Sequence, residues 1–472
     1  MGKQDGVYGS QCGCSPQTGG RRPAFCGNFY VFCFVEILNH HIPEAFVFRE
    51  QGGVQGVWRI EDRGLVRADS VLSRKSSQSI HRLSGQRGKE GRMLKRIGLI
   101  VIIGFIWGEA VGGPISGAVR GKLGISGSPY QVTGDLTVQP GDTLRIEPGV
   151  ILEFDEDVSF VIYGRVLAVG TAEDSIVFRY GGRAAAGHWS GVYVNSAADT
   201  SQFSFLSVSG AIVGLSIDGA MTQVSASTFA GNLTGVDCKD GAAPLIANCY
   251  FEGNANAAVR ANGASPRIMG CRFFLNSQSR VESVIVMNNG AGGEIVRNII
   301  AFNSMSGIDC SGGSDPKIWH NTIVSNGYGL TVQSSSPEIV ANVFYQNGSG
   351  IVMENGGGRI AYNDVFANGG RDFFGVPDGV GRAVQVNFRG DSCDAYFNLS
   401  REPFLTDVAH RNFAPKMASP LIDAGDPQNP AGIVYSGVAP DIGAIETNYT
   451  FPVELTVFRF EEGKLVWATA TE

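Results

Sequence analysis

Four segments of this chain can be laid over one another without a gap: Pro244-Leu-Ile-Ala-Asn-Cys-Tyr-Phe251, Pro266-Arg-Ile-Met-Gly-Cys-Arg-Phe273, Pro316-Lys-Ile-Trp-His-Asn-Thr-Ile323 and Pro337-Glu-Ile-Val-Ala-Asn-Val-Phe344. Their first apolar position recurs at Phe203, Val224, Ile246, Ile268, Ile295, Ile318, Ile339 and Ile360, at intervals of 21, 22, 22, 27, 23, 21 and 21 residues. Three residues on stand Leu206, Ser227, Cys249, Cys271, Asn298, Asn321, Asn342 and Asn363. Five on come Val208, Phe229, Phe251, Phe273, Ile300, Ile323, Phe344 and Val365. Eight on, asparagine fills seven successive repeats: Asn232, Asn254, Asn276, Asn303, Asn326, Asn347 and Asn368.

A fixed period of this length is the mark of a solenoid, in which no repeat can bury its apolar face alone and stacking does it collectively. Each repeat holds three short strands, and successive coils pair at a spacing of about 4.8 Å. The Phe and Ile positions point inward. After a glycine in most coils come pairs at period two, Leu215/Ile217, Val236/Cys238, Val259/Ala261, Ile308/Cys310, Leu330/Val332 and Ile351/Met353, which also read as inward. An asparagine at a fixed turn donates to one neighbouring coil and accepts from the other. It also tolerates left-handed turns. The asparagine stack is thus a structural ladder. Cys249 and Cys271 are neighbours in adjacent coils, where a disulfide is conceivable in an oxidising compartment. The expected fold class is all-β: a right-handed parallel β-helix over 129–447, with about 10–12 coils.

Charge is unevenly spread. Residues 1–92 carry 13 Lys+Arg against 8 Asp+Glu, whereas from Val111 onward the count is 22 against 35. An acidic body excludes nucleic acid and anionic membranes as expected partners. Neutral sugars and cations fit better. The run Met93-Leu-Lys-Arg, followed by the apolar or glycine stretch Ile97–Trp107, reads as a signal peptide over 93–112. It is too short for a stable membrane span after cleavage. A leader must begin a chain, so 1–92, which shows no repeat or strand pattern, is expected to be a non-native upstream extension. Residues 113–128 follow as a linker.

The stretches Ser128-Pro-Tyr-Gln-Val-Thr-Gly-Asp-Leu-Thr-Val, Leu144-Arg-Ile-Glu-Pro-Gly-Val150 and His188-Trp-Ser-Gly-Val192 resemble the opening coils of bacterial pectin-lyase-like β-helix proteins. Ala418-Ser-Pro-Leu-Ile-Asp-Ala-Gly-Asp426 and Pro440-Asp-Ile-Gly-Ala-Ile-Glu446 resemble the closing segment of the same extracellular group. Beyond them, Phe451-Pro-Val-Glu-Leu-Thr-Val-Phe458 and Leu465-Val-Trp-Ala-Thr-Ala-Thr-Glu472 resemble the first strands of the fibronectin-like module of type IX secretion cargo. On that resemblance 448–472 is a truncated β-sandwich start, and the location is extracellular or at the cell surface.

Chemistry is harder to find than architecture. A lyase on such a scaffold needs clustered carboxylates for Ca²⁺ and a Lys or Arg base on outward positions of one sheet. The outward row before the first apolar position runs Gln202, Gln223, Leu245, Arg267, Glu294, Lys317, Glu338 and Arg359, alternating in sign over its last five members. That pattern favours neighbouring ion pairs over a metal cage. On the third strand the outward row gives Ser216, Asp237, Arg260, Asp309, Thr331 and Val352, with the register of the long coil near residue 285 open. Asp237 and Asp309 stand three coils apart, on the order of 14 Å, beyond either glycosidase carboxylate spacing. The paired-Asp and Gly-His-Gly motifs of polygalacturonase-like relatives are missing.

Two weaker signals remain. Phe274, Tyr345 and Phe366 on the second strand and Trp319 on the first face outward, where aromatics could stack on sugar rings; a covering loop explains them equally well. Asp423, Asp426, Asp441 and Glu446 form an oxygen-rich set that could hold Ca²⁺, or merely cap turns. The reading is a secreted or cell-surface β-helix that binds an extracellular polysaccharide or cell-surface glycan without catalysis, no catalytic residue being assigned. The alternatives are a polysaccharide lyase or glycoside hydrolase of the pectin-lyase-like kind, and a passive structural stalk.

Overall fold

The computed structural model describes residues 112–182, 186–195 and 200–448, together with the backbone of five further strands. Two compact units divide the chain, Met1–Ile102 and Ile103–Glu472. In the first, Ala45–Arg49, Gln55–Glu61 and Leu65–Val71 form an antiparallel three-stranded sheet. Strand structure is therefore present where none was expected, in short apolar runs that a search for 22-residue periodicity passes over. The rest of 1–92 and the leader up to Val111 lie outside the described residues.

The second unit is a parallel β-solenoid. Its first strands, from Gly121–Leu123 to Ile360–Ala361, build one sheet of eleven strands, so the coil count falls within the expected range. Gly112–Ala118 and Gly121–Leu123 already pair with the coils that follow, so the solenoid begins inside the supposed linker. Backbone pairing needs no apolar side chain, which is why this glycine-rich stretch gave no signal. The apolar positions stack in register, as in Ile246, Ile268, Ile295, Ile318, Ile339 and Ile360. Phe229, Phe251 and Phe273 stack with centroids 5.3 and 4.8 Å apart and are fully buried. The long coil enters through Ile285 and Met287, which continue the inward pairs, while Val286 takes the outward place.

Two ladders run along the turns. From Asn254 to Asn368, each Oδ1 accepts both the backbone N–H and the Nδ2–H of the asparagine one coil earlier, as Asn276 does from Asn254 at 3.2 and 2.9 Å, while Asn232 opens the ladder by accepting from Ala211 N–H. A second ladder runs through Asn298, Asn321, Asn342, Asn363 and Asn398, with Cys249 and Cys271 as its forerunners. Each ladder ends on a carboxylate, Asp372 for the first and Asp394 for the second. A donor-directed chain of amides needs a final acceptor, and Asp supplies one without a donor of its own. The left-handed residue is the one before each ladder asparagine, for example Gly231, Leu275 or Phe302. The asparagines themselves are therefore chosen for hydrogen bonding, not for backbone tolerance. Cys249 and Cys271 are free thiols that donate to the carbonyls of Ala247 and Met269.

The coils end at Phe373–Phe374. Residues 391–447, expected to continue the helix, first add Asn398 and Leu399 to the end of the last coil and then run across the outside, where Leu405, Phe413, Leu421 and Ile442 pack against the second strands. The helix axis thus stops about 70 residues before the resemblance does. The closing motifs clasp each other: Gly425 N–H donates to Pro440 O, and Asp423 N–H to Asp441 Oδ1 at 2.8 Å. Leu455–Glu461 and Lys464–Thr469 pair as an antiparallel hairpin.

Candidate functional site

Three outer faces are available on a solenoid of three-stranded coils, and this chain roofs two of them over its C-terminal half. On the second-strand face, Phe274, Ile299, Ala301, Val324, Val343 and Tyr345 lie beneath Phe413, Leu405 and Ile442. Phe274 and Tyr345 are therefore buried, and Phe366 is half-buried against Tyr345. On the first-strand face, Trp319 is buried under Ile433 with Val296 and Val340. Period two places all four aromatics outward, but what covers them comes from the C-terminal segment, more than a hundred residues on for Phe274 and Trp319. They are not available to stack on a sugar while this segment is docked. Arg411 completes the roof, donating to Tyr250 Oη and Glu252 Oε1 at 2.7 and 3.0 Å and lying over the Phe274 ring.

The acidic set lies within the roof and is committed to its own turns. Asp423 accepts from Val438 N–H, Asp426 from Gln428 N–H and Arg359, Asp441 from Asp423 N–H and Thr447, and Glu446 from Ser436 N–H and Asp441 N–H. Carboxylates pointed at separate donors do not converge on a cation. Among the described residues, no group of three or more His, Cys, Asp or Glu side chains could hold a metal ion.

The third-strand face is different. Its register reads Tyr193, Ser216, Asp237, Arg260, Val286, Asp309, Thr331, Val352 and Phe374. Two places on lies a second outward row that includes Lys239, Asn262, Asn288, Ser311, Gln333 and Glu354. Most of these residues are part-exposed or exposed, and Phe374 and Tyr328, at the start of its third strand, are 42% and 43% exposed.

Asp237 anchors the face. It is fully buried, and Arg260 grips it with two parallel bonds, Nε to Oδ1 at 2.9 Å and Nη2 to Oδ2 at 3.0 Å. Lys239 Nζ adds a contact to Oδ2 at 3.0 Å. Burial alone raises its proton affinity, but the Arg260 and Lys239 bonds outweigh that and hold the carboxyl below the usual range. The free guanidinium edge, Nη1, reaches Glu282 Oε1 at 2.8 Å. Three coils away, burial pushes the Asp309 carboxyl up even though Thr331 Oγ1 donates to it at 2.6 Å. The face thus holds a carboxylate–arginine–carboxylate chain with a lysine at one end.

Besides Lys239, Glu282 was the member missed from sequence. It sits in the extra residues of the 27-residue interval, a loop tied back by Ser279 Oγ to Asn256 Oδ1 at 2.6 Å. The length of that interval was the available clue. The first-strand charge row forms its pairs as expected: Arg267–Glu294 at 2.9 Å, Lys317–Glu294 at 3.9 Å and Arg359–Glu338 at 3.0 Å.

Comparison with known proteins agrees with this architecture. A family model described as "Right handed beta helix region" matches residues 190–335 and 277–398. The solenoid is a right-handed β-helix. A stretch of 52 residues is 42% identical to Protein bark beetle of Drosophila melanogaster, covering 11% of this chain and 2% of that protein. Among solved structures, pectate lyase Pel9A aligns at a TM-score of 0.41 and 16% identity, over 66% of this chain and 89% of its own. The periplasmic alginate epimerase AlgG aligns at 0.44 and 16%, over 60% and 76%. PfbA, a surface adhesin of Streptococcus pneumoniae, aligns at 0.22 and 13%, over 61% and 91%. Identities of this size leave the chemistry of the chain to its own residues. Among the described residues, no helix is long and apolar enough to cross a membrane.

Proposed function

We propose that the protein is an extracellular β-helix that binds a polysaccharide or cell-surface glycan through its third-strand face, without cleaving it. The observation that carries this reading is the contrast between faces: the C-terminal segment buries the aromatic row elsewhere, while the third face keeps polar side chains, Tyr328 and Phe374 at its surface. A rigid row of hydroxyls, amides and charges at coil spacing suits repeated hydrogen bonding to a chain of sugars. Export through the Met93 leader by the type IX route, with residues 448–472 as the start of a fibronectin-like module, belongs to the same proposal.

An enzyme of the pectin-lyase-like kind is the second reading, and the Asp237–Arg260–Glu282–Lys239 cluster favours it, since carboxylates and a basic group share one surface. Against it, Arg260 is charged and tied at both edges, and Asp237 has no oxygen free to take a substrate proton. A general base must reach the proton it removes. The test is a panel of neutral and acidic polysaccharides, with and without Ca²⁺, scored for retention and for new reducing ends or unsaturated products. Retention without products supports the binding reading, products establish the enzyme, and neither outcome leaves a structural stalk.

A further inference from the structure

We propose that residues 391–447 form a proton-locked strap, held on the second-strand face by a neutral Asp364 and loosened as the medium turns alkaline. Asp364 lies on the last second strand, Asp364–Phe366, whose edge Leu399 extends as a parallel bridge, and its side chain meets the strap where the chain leaves that edge at Arg401. It is fully buried. Its Oδ1 accepts the Arg401 N–H at 3.0 Å, but Oδ2 has no partner. An ionised carboxylate with an unpaired, buried oxygen is expensive, whereas the protonated acid is tolerated.

The charges around it relieve this only in small part, through Arg401. Asp372 faces it from the last coil and Glu402 from the strap, both negative, and the Arg401 side chain reaches instead toward Asp391 at 3.5 Å. Burial above all, then these carboxylates, pushes Asp364 up to about 8. Once the strap lifts, the carboxyl meets water and returns to its ordinary value near 3.8. Docking therefore takes up a proton. Its contribution is complete below the ordinary value and is lost as pH rises through about 8, by up to about tenfold in the docking constant per pH unit. What the strap uncovers is the apolar face with Phe274 and Tyr345.

The test is hydrogen exchange of the full chain by mass spectrometry, corrected for intrinsic rates, from about pH 5.5 to 9.5. Strap peptides around 396–407 and 412–424 should lose protection steeply between about pH 6 and 8 and level off above that, while ladder peptides around 298–326 stay protected. Asp364→Asn keeps the neutral hydrogen-bonding shape and should hold protection around 396–407 across the range, with only the shallower loss that Glu446 brings through about pH 7 left at 412–424. Glu402→Gln removes one facing negative charge and should move the wild-type midpoint to lower pH. A flat wild-type profile, or the same fall in Asp364→Asn, overturns the proposal. Should Asp364→Asn fail to fold by circular dichroism, the wild-type and Glu402→Gln curves decide the matter by themselves.

Discussion

The second-strand and third-strand faces of this solenoid are built from the same repeat, at the same coil spacing, yet one is an interior and the other a surface. Where Phe274, Ile299, Val324 and Val343 line the outward row, a segment of more than fifty residues folds back and seals them. Where Asp237, Arg260, Asp309 and Thr331 line it, the charges satisfy one another and the face stays in contact with water. The lesson is that a solenoid decides the use of each face by the residues at outward positions, because the inward positions are nearly identical all round.

The largest expected effect comes from breaking the roof. Phe413 is buried between Phe274 and Phe302, and Phe413→Ala should cost about 3–5 kcal/mol and be seen as premature exchange and proteolysis of 391–447. The matching change on the other side, Phe374→Ala, should cost about 1 kcal/mol or less because the side chain is 42% exposed. Equal losses in thermal melts would erase the distinction between the faces.

Next is Arg260→Ala. It leaves the buried Asp237 with Lys239 alone, and a loss of about 2–3 kcal/mol is expected, less than for a wholly buried pair because Arg260 itself is part-exposed. Thermal denaturation of Arg260→Ala and of the double variant with Asp237→Asn should show partial rescue in the double variant. No coupling between the two would show that the pair is incidental.

The Asp237 cluster and the roof should also answer pH in opposite directions. Asp237 is held below its ordinary value, so its contribution is present at neutral pH and is lost as pH falls below about 4. In the roof, burial raises Glu446 to about 7, so its contribution is present in acid and fades as pH rises through about 7. His320, buried and lowered to about 4, opposes this in the acid range: its contribution holds above about 6.5 and is lost on the way down to about 4. Local exchange followed against pH should therefore show the roof loosening above neutrality while the third face is unchanged there. The smallest effect is on the first-strand charge row, where Glu294→Ala should shift stability by less than about 1 kcal/mol, an exposed pair being weakly coupled.

Much of this was legible in the sequence, and the boundary of legibility has a physical cause. Period gave the coils, the inward Phe and Ile stacks and the asparagine ladder, because each is repeated every coil and so is written many times. Parity gave the outward direction of Trp319 and Tyr345. What parity cannot carry is the roof, a single long-range event between 391–447 and coils far upstream, recorded once and without a period. The Asp372 and Asp394 ladder ends and Glu282 in the long coil were hidden for the same reason: each occurs once. Asp237 and Arg260 fell in one outward row of the sequence without being singled out, and only the folded geometry shows two bonds locking them together.

The most direct measurement compares the retention of the full chain on immobilised polysaccharides with that of two variants. One carries Arg260→Ala and Tyr328→Ala on the third face, and the other carries Val434→Ala on the outer surface of the roof, where the side chain is 89% exposed. Binding through the open face predicts at least about tenfold weaker retention for the first variant, unchanged retention for the second, and no cleavage products from either. Retention that survives the third-face changes, or is lost with Val434→Ala, would contradict it.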